Sequence, residues 1–266
     1  MRLFEAEAIL LDVVDLHEAD RIVVFLTREF GQKRGAARGA RRRYSRFAGE
    51  LQPLAKVRAR WFEKEGRDLA RISQVELLRP AKRLNADLEG ILTGACLAEH
   101  MKVFVPENEA SELPFRLLDS TLAALEEGVD RALAARYFEA WALRLAGIFP
   151  EPRECPRCGR PLEEAALAVD DASLVCRECA GPGALAVSAD ALAFFRRIGR
   201  ENLPRVAAHP PSAGVLSEIE AICGRIRRHF LGHELASYDV LRRTLGGLPP
   251  EGPRAERGRS SGTGAE

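Results

Sequence analysis

Nothing in this 266-residue chain approaches 18 uninterrupted apolar residues, so no membrane-spanning helix is expected. A leader is not expected either. "MRLFEAEAILLDVVD" places Glu5 and Glu7 ahead of a short apolar run, where a signal peptide needs a basic start and a longer one. Catalytic signatures are missing as well: there is no GxxxxGK[ST], no GxGxxG unit, and no HExxH among the five histidines. His229 and His233 read as helix C-terminal residues rather than ligands. An enzyme therefore has little support. Aromatics are few at 6%, yet hydrophobic residues at 46% and charged residues at 30% are ordinary for a globular protein of more than one core. These absences together point to a cytoplasmic location, where thiols stay reduced.

Acid is absent from one stretch above all. "KRGAARGARRRYSR", residues 33–46, holds seven basic residues in fourteen and no carboxylate, inside a chain of formal net charge +1. Residues 1–30 carry three Arg against seven acids, and residues 31–62 carry ten Lys or Arg against Glu50 alone. Charge gathered on one segment of a balanced chain is the footprint of a polyanion-binding surface.

Turn signals and strand composition dominate to Leu78. "AEAILLDVVDL", "RIVVFLTRE", the Gly-rich "QKRGAARGAR", "LAKVRARWF" and "LARISQVELL" predict about five short strands, which suit a small closed or partly open barrel. Pro80 ends that pattern. Apolar residues then recur at helical spacing in "NADLEGILTGACLAEHMKVFV", "SELPFRLLDSTLAALEEG", "RALAARYFEAWALRLAG", "SADALAFFRRIG" and "SEIEAICGRIRRHFLG". Asn85 or Asp87 sits near the first start, Ser188 and Ser217 or neighbours near the last two, and Gly147, Gly199 and Gly232 at ends. The expected organisation is α+β and multidomain: a barrel at 1–79, a helical domain at 80–245 with a cysteine arm inserted at 151–182, and a disordered Gly-, Pro- and Ser-rich tail at 246–266.

Cys155 and Cys158, then Cys176 and Cys179, form two C-x2-C pairs separated by seventeen residues. Each pair can turn two thiolates toward one centre, and four thiolates saturate a tetrahedral zinc, so the metal is expected to be structural. Two disulfides or a redox CxxC are the alternatives, disfavoured in a reducing compartment. Cys96 and Cys223 fall among helical apolar residues and read as small buried hydrophobes.

In "AKVRARWF", alternation places Lys56, Arg58 and Arg60 on one strand face and Val57, Ala59 and Trp61 on the other. Lys33, Arg34 and Arg38 occupy the preceding strand; Arg41, Arg42, Arg43 and Arg46 adjoin it beside Tyr44 and Phe47. Basic grooves with aromatic neighbours bind single strands through phosphates and stacking, although Phe47 and Trp61 suit a core equally. Should this block be only a solvated loop, the next basic candidates are Arg196, Arg197, Arg225, Arg227 and Arg228. A zinc-ribbon transcription regulator is the alternative, weakened because the basic residues lie far from the cysteines.

"ADRIVVFLTREFGQ", "ARGARRRYSRFAGELQPL", and "LAGIFPEPRECPRCGRPL" followed by "LVCRECAG" resemble the bacterial RecO family of recombination mediator and DNA repair proteins. The resemblance covers roughly residues 1–245. It implies an N-terminal OB-fold, a C-terminal helical domain and a zinc arm. It also implies binding of single- and double-stranded DNA, strand annealing, and work with RecR in the RecF pathway to load RecA onto DNA coated by single-strand binding protein. Some members lack the four cysteines, so the implied zinc is structural. The acidic tail of single-strand binding protein is expected on the helical domain, where Lys102, Arg131, Arg136 and Arg144 are the basic candidates.

Overall fold

The computed structural model describes residues 1–67 and 69–245. Strands β1 (Arg2–Leu16), β2 (Asp20–Thr27), β3 (Gly31–Ala37), β4 (Lys56–Glu63) and β5 (Ala70–Arg79) close in the order β1-β2-β3-β5-β4, the small closed barrel that the strand pattern predicts and the OB-fold that the resemblance implies. One long strand makes closure possible. The first half of β1 pairs with β4 and its second half with β2, and the register slips between Leu10 and Asp12 where the strand bends from one neighbour to the other. The remaining seam is parallel and short, limited to Gly35 opposite Ala70 and Ala36 opposite Arg71.

Inward positions fill the barrel with Val23, Phe25, Val57, Ile72 and Val75 around Trp61. Phe4, Phe25 and Phe30 surround the Trp61 ring at centroid distances of 5.7, 5.2 and 5.5 Å. Phe47 and Leu51, from the segment between β3 and β4, join the same core. Phe47 and Trp61 are therefore core residues, and neither is a stacking platform.

Beyond Pro80 the chain forms α1 (Leu88–Phe104), α2 (Glu112–Glu127) and α3 (Arg131–Leu145), then, after the arm, α4 (Ala189–Ile198), α5 (Leu203–Ala208), α6 (Ala213–Leu231) and α7 (Ala236–Leu245). Asp87, Asp130, Ser188, Asn202 and Ser212 start five of them by accepting from a backbone N–H three residues on, which satisfies a donor the helix cannot. Helix α6 thus begins a turn before Ser217, because Ser212 supplies its cap. The six-residue α5 and the final α7 were not expected; α5 is too short to show a helical period, and α7 follows shortly after the Gly232 stop. The tail expected at 246–266 lies outside the described residues.

The arm contributes a three-stranded sheet in the order β7-β6-β8, from β6 (Ala165–Leu167), β7 (Leu174–Val175) and β8 (Leu185–Val187). Leu162, Leu167, Leu174, Val175 and Val187 share one core with α1 to α6, as do Ile9, Leu11 and Leu26 on the barrel underside. The barrel is clamped to the helices by polar contacts too. Lys102 reaches Asp12 at 2.7 Å, and Lys56 and Arg79 converge on Asp119 at 3.0 and 2.5 Å. Backbone N–H groups of Asn108 and Ser111 donate to the carbonyls of Gln32 and Arg28, each at 3.0 Å.

Candidate nucleic-acid interface and metal centre

Strand β4 alternates as its sequence requires. Val57, Ala59 and Trp61 are buried, while Lys56, Arg58 and Arg60 face outward. The outward cations, however, do not stand alone. Arg58 and Arg60 lie opposite Glu7 and Glu5 of β1 and opposite Glu76 and Gln74 of β5. Arg60 pairs with Glu5 at 2.6 Å, Arg58 with Glu76 at 3.0 Å, and Lys56 with Glu7 at 2.9 Å as well as Asp119. The expected positive stripe is consequently a ladder of alternating sign. Lys33 is likewise engaged, with Glu63 at 2.8 Å; burial opposes ionisation of Glu63, yet Lys33 and the Trp61 indole hold its carboxyl below the usual range.

The segment after β3 is anchored at its start. Asp20 accepts the Gly39 N–H at 2.8 Å, the Arg41 N–H donates to Ala19 at 3.0 Å, and the Arg41 guanidinium contacts the His17 carbonyl and Asp15. Arg41 therefore braces the tip of the β1–β2 hairpin. Arg42, Arg43 and Arg46 remain exposed. Arg43 lies over the Tyr44 ring at 5.5 Å and Arg46 over Phe47 at 4.9 Å. Tyr44 itself is 88% exposed, an aromatic face presented among cations with no core to explain it.

Arg34 on β3 and Arg38, the first residue after it, are both exposed. The parallel seam sets Arg71 beside Ala36, between them along the strand. A groove of about 590 Å³ opens there, lined by Arg38, Lys64, Arg67 and Arg71 with Phe62 and Leu69. None of these four cations forms an ion pair among the described residues, and neither do Arg34, Arg42, Arg43 or Arg46. Lys64, Arg67 and Arg71 are not legible as site residues in the sequence: "EKEGRD" carries three acids to two bases and reads as a solvated turn, and Arg71 stands alone in "LARISQVELL" after it. Only strand order brings it against β3.

In the arm, the four Sγ atoms of Cys155, Cys158, Cys176 and Cys179 lie within 4.8 Å of one another, and no disulfide joins them. Tetrahedral zinc with Zn–S bonds of about 2.3 Å requires sulfurs about 3.8 Å apart; Cys158 and Cys176 are 3.7 Å apart. Backbone geometry favours thiolate at the first knuckle. Burial opposes it at Cys155, but N–H groups of Cys176, Arg157 and Cys158 bring that thiol down to about 6, and Arg160 lowers Cys158. Cys179 moves the other way, to about 12, through hydrogen bonding with Cys176 and Cys158 and through burial. Arg157 ties the knuckles together, donating to the Cys179 carbonyl at 3.0 Å and to both Asp170 oxygens at 2.9 Å, and Arg160 pairs with Glu178. The residues fit a four-sulfur metal site braced by its surroundings.

The other basic candidates are engaged elsewhere. Lys102 holds Asp12, Arg131 holds Asp87 and Glu89, and buried Arg136 holds Glu139 and Glu220. Arg144 donates to the Phe195 carbonyl between the Trp141 and Phe149 rings. On the last helices, Arg196 secures the arm carbonyls of Pro152 and Leu162, Arg197 pairs with Glu201, Arg225 donates to Gly183, and Arg227 and Arg228 share Glu234. They do not make a second basic surface.

Two family models match this chain: Recombination protein O N terminal over residues 1–81 and Recombination protein O C terminal over residues 85–239. Among curated proteins, it is similar to the DNA repair protein RecO of Anaeromyxobacter sp. (strain Fw109-5), 35% identical over 240 residues, 88% of this chain and 93% of the relative. The DNA repair protein RecO of Anaeromyxobacter sp. (strain K) is 33% identical over 237 residues, with the same shares. That of Symbiobacterium thermophilum is 32% identical over 227 residues, 83% of this chain and 89% of the relative.

Proposed function

The chain belongs to the recombination protein O family, and on that premise we propose that it is a non-enzymatic recombination mediator of DNA repair whose barrel binds DNA through phosphates. The observation that carries this reading is the groove beside the parallel seam, where Arg38, Lys64, Arg67 and Arg71 meet and no carboxylate is found among the described lining residues. Cations of this kind neutralise a backbone without reading bases. Exposed Tyr44 among Arg42, Arg43 and Arg46 adds a surface on which a base can stack. Single and double strands are both ligands, and a surface that screens two backbones favours annealing of complementary strands. No catalytic group is needed for that work.

Residues 1–79 serve as the DNA-binding unit, while residues 80–245 serve partners: RecR, the acidic tail of single-strand binding protein, and through them RecA. The protein works in the cytoplasm, associated with the nucleoid. The four cysteines hold one zinc, which supplies a rigid tetrahedral crosslink; the residues around it orient the thiolates and join the arm to α4. A zinc-ribbon regulator finds no support in the arm, whose Arg153, Arg157, Arg160 and Arg177 are all paired with acids.

The test is salt-dependent binding of the full chain to single strands of unrelated sequence, repeated with RecR, alongside annealing of complementary strands. About five phosphate contacts give a log-log slope of about −3 to −4, similar for every sequence. Strong preference for one duplex would favour the regulator instead.

A further inference from the structure

Helix α7 is attached to the helical domain by contacts unlike those of its neighbours. Tyr238 is its one buried residue, and with Leu235 and Cys96 it forms a cluster apart from the main core. Val240 and Leu245 on the same helix are exposed. By contrast, α6 buries Ile219, Ile222, Cys223 and Ile226 in the main core.

Leu241 adds a partly buried apolar contact, and what otherwise holds α7 is polar. Glu99 of α1 accepts the N–H groups of Ala236 and Ser237 at 3.2 and 2.8 Å, in the role of a capping side chain. Glu234 pairs with Arg227, Arg228 and Arg242 at 2.7, 2.8 and 3.0 Å. The Tyr238 hydroxyl donates to Glu139 at 2.6 Å and lies 3.0 Å from His100 Nδ1, while Arg227 sits 3.6 Å from its ring centroid.

The seat of this tyrosine is poorly satisfied. His100 Nε2, Glu139 Oε2, Arg136 Nε and Arg227 Nη1 are buried without hydrogen-bond partners, whereas buried polar atoms ordinarily have one. Docking α7 thus buries Leu235, Tyr238 and part of Leu241 and relies otherwise on polar contacts, which is the profile of an element that opens below the threshold for global unfolding.

We propose that α7 is a latch that lifts from α1 and α6 as a unit while the rest of the helical domain stays folded. Ser237 and Glu99 also line a cavity of about 350 Å³ between the barrel and α1, together with Leu11, Leu54 and Ile91. Lifting α7 removes part of that wall, so the latch sets how open the cavity is.

Two cysteines report the event in the intact, metal-loaded protein. Cys96 is covered by α7, whereas Cys223 lies in the main core. Alkylation with iodoacetamide, read peptide by peptide by mass spectrometry, should modify Cys96 at least ~100-fold faster than Cys223, with a rate insensitive to low urea. Glu99→Ala, which removes the cap, should speed Cys96 a further ~5- to 10-fold and leave Cys223 unchanged. Hydrogen exchange of the unaltered chain is the independent check, with residues 240–243 exchanging far faster than residues 222–227. Equal labelling of Cys96 and Cys223, rising together with urea, or matched protection of the two helices, overturns the latch.

Discussion

Replacing Gly31 by Ala should unfasten the barrel from the helical domain. Gly31 sits at φ +63°, and a Cβ there would lie 1.9 Å from the backbone oxygen of Glu109. Left-handed backbone costs a non-glycine residue about 1–2 kcal/mol. The overlap is with backbone, so the 106–111 segment must retreat, and it takes with it the N–H donations of Asn108 and Ser111 to Gln32 and Arg28. Each is worth about 0.5–1.5 kcal/mol, so the whole loss is about 2–5 kcal/mol. Gly49 is the control: its φ is +77° but nothing lies within 4 Å of its Cβ position, so Gly49→Ala carries the conformational cost alone. The chain has two tryptophans, Trp61 in the barrel core and Trp141 on α3 beside the Ile198 carbonyl. Urea unfolding of Trp61→Phe and Trp141→Phe backgrounds then reports each domain by fluorescence. Gly31→Ala should lower stability by more than Gly49→Ala and separate the two transitions. Equal costs with coincident transitions would refute the clamp.

Phe47 and Tyr44, three residues apart, should behave oppositely: Phe47→Ala should cost about 3–5 kcal/mol of barrel stability as a core truncation, whereas Tyr44→Ala should leave stability intact and weaken single-strand binding about 5- to 150-fold through removal of one stacking face. Metal analysis of the purified chain should give about one zinc, and Cys176→Ser should lower it while loosening the helical core as well as the arm, since Leu174 and Val175 pack into that core; far-ultraviolet and near-ultraviolet circular dichroism follow both. Burial opposes ionisation of Glu234, but Arg227 and Arg228 hold its carboxyl below the ordinary value of 4.5. Its stabilising contribution is thus complete above that value and lost as pH falls through the lower folded one, so acid titration of stability should be shallower in Glu234→Gln.

Cysteine spacing and strand alternation carried most of what could be read in advance. C-x2-C pairs encode their geometry locally, and the alternation in "AKVRARWF" fixes which side chains of β4 turn outward. Neither says what stands opposite. Glu5, Glu7 and Glu76 neutralise Lys56, Arg58 and Arg60 through pairings with β1 and β5, and those contacts are set by barrel closure rather than by any local pattern. The same holds for Lys64, Arg67 and Arg71, which join Arg38 only because β5 lies parallel to β3. The arm strands, two or three residues long, are too short to show a period, and α7 is held by Glu99 and Glu139 from helices over ninety residues away.

The most direct measurement is the salt dependence of single-strand binding by Arg38→Ala, Lys64→Ala, Arg67→Ala and Arg71→Ala combined, set beside Lys56→Ala, Arg58→Ala and Arg60→Ala combined. Phosphate binding in the groove predicts a log-log slope shallower by about 0.7 for each phosphate no longer neutralised, about 2.8 for the four groove cations, at unrelated sequences alike and with zinc content unchanged. The second set, already paired with Glu5, Glu7, Glu76 and Asp119, should change the slope much less. An unaltered slope in the groove variant, or a larger change in the paired set, would contradict a DNA-binding surface at the β3–β5 seam.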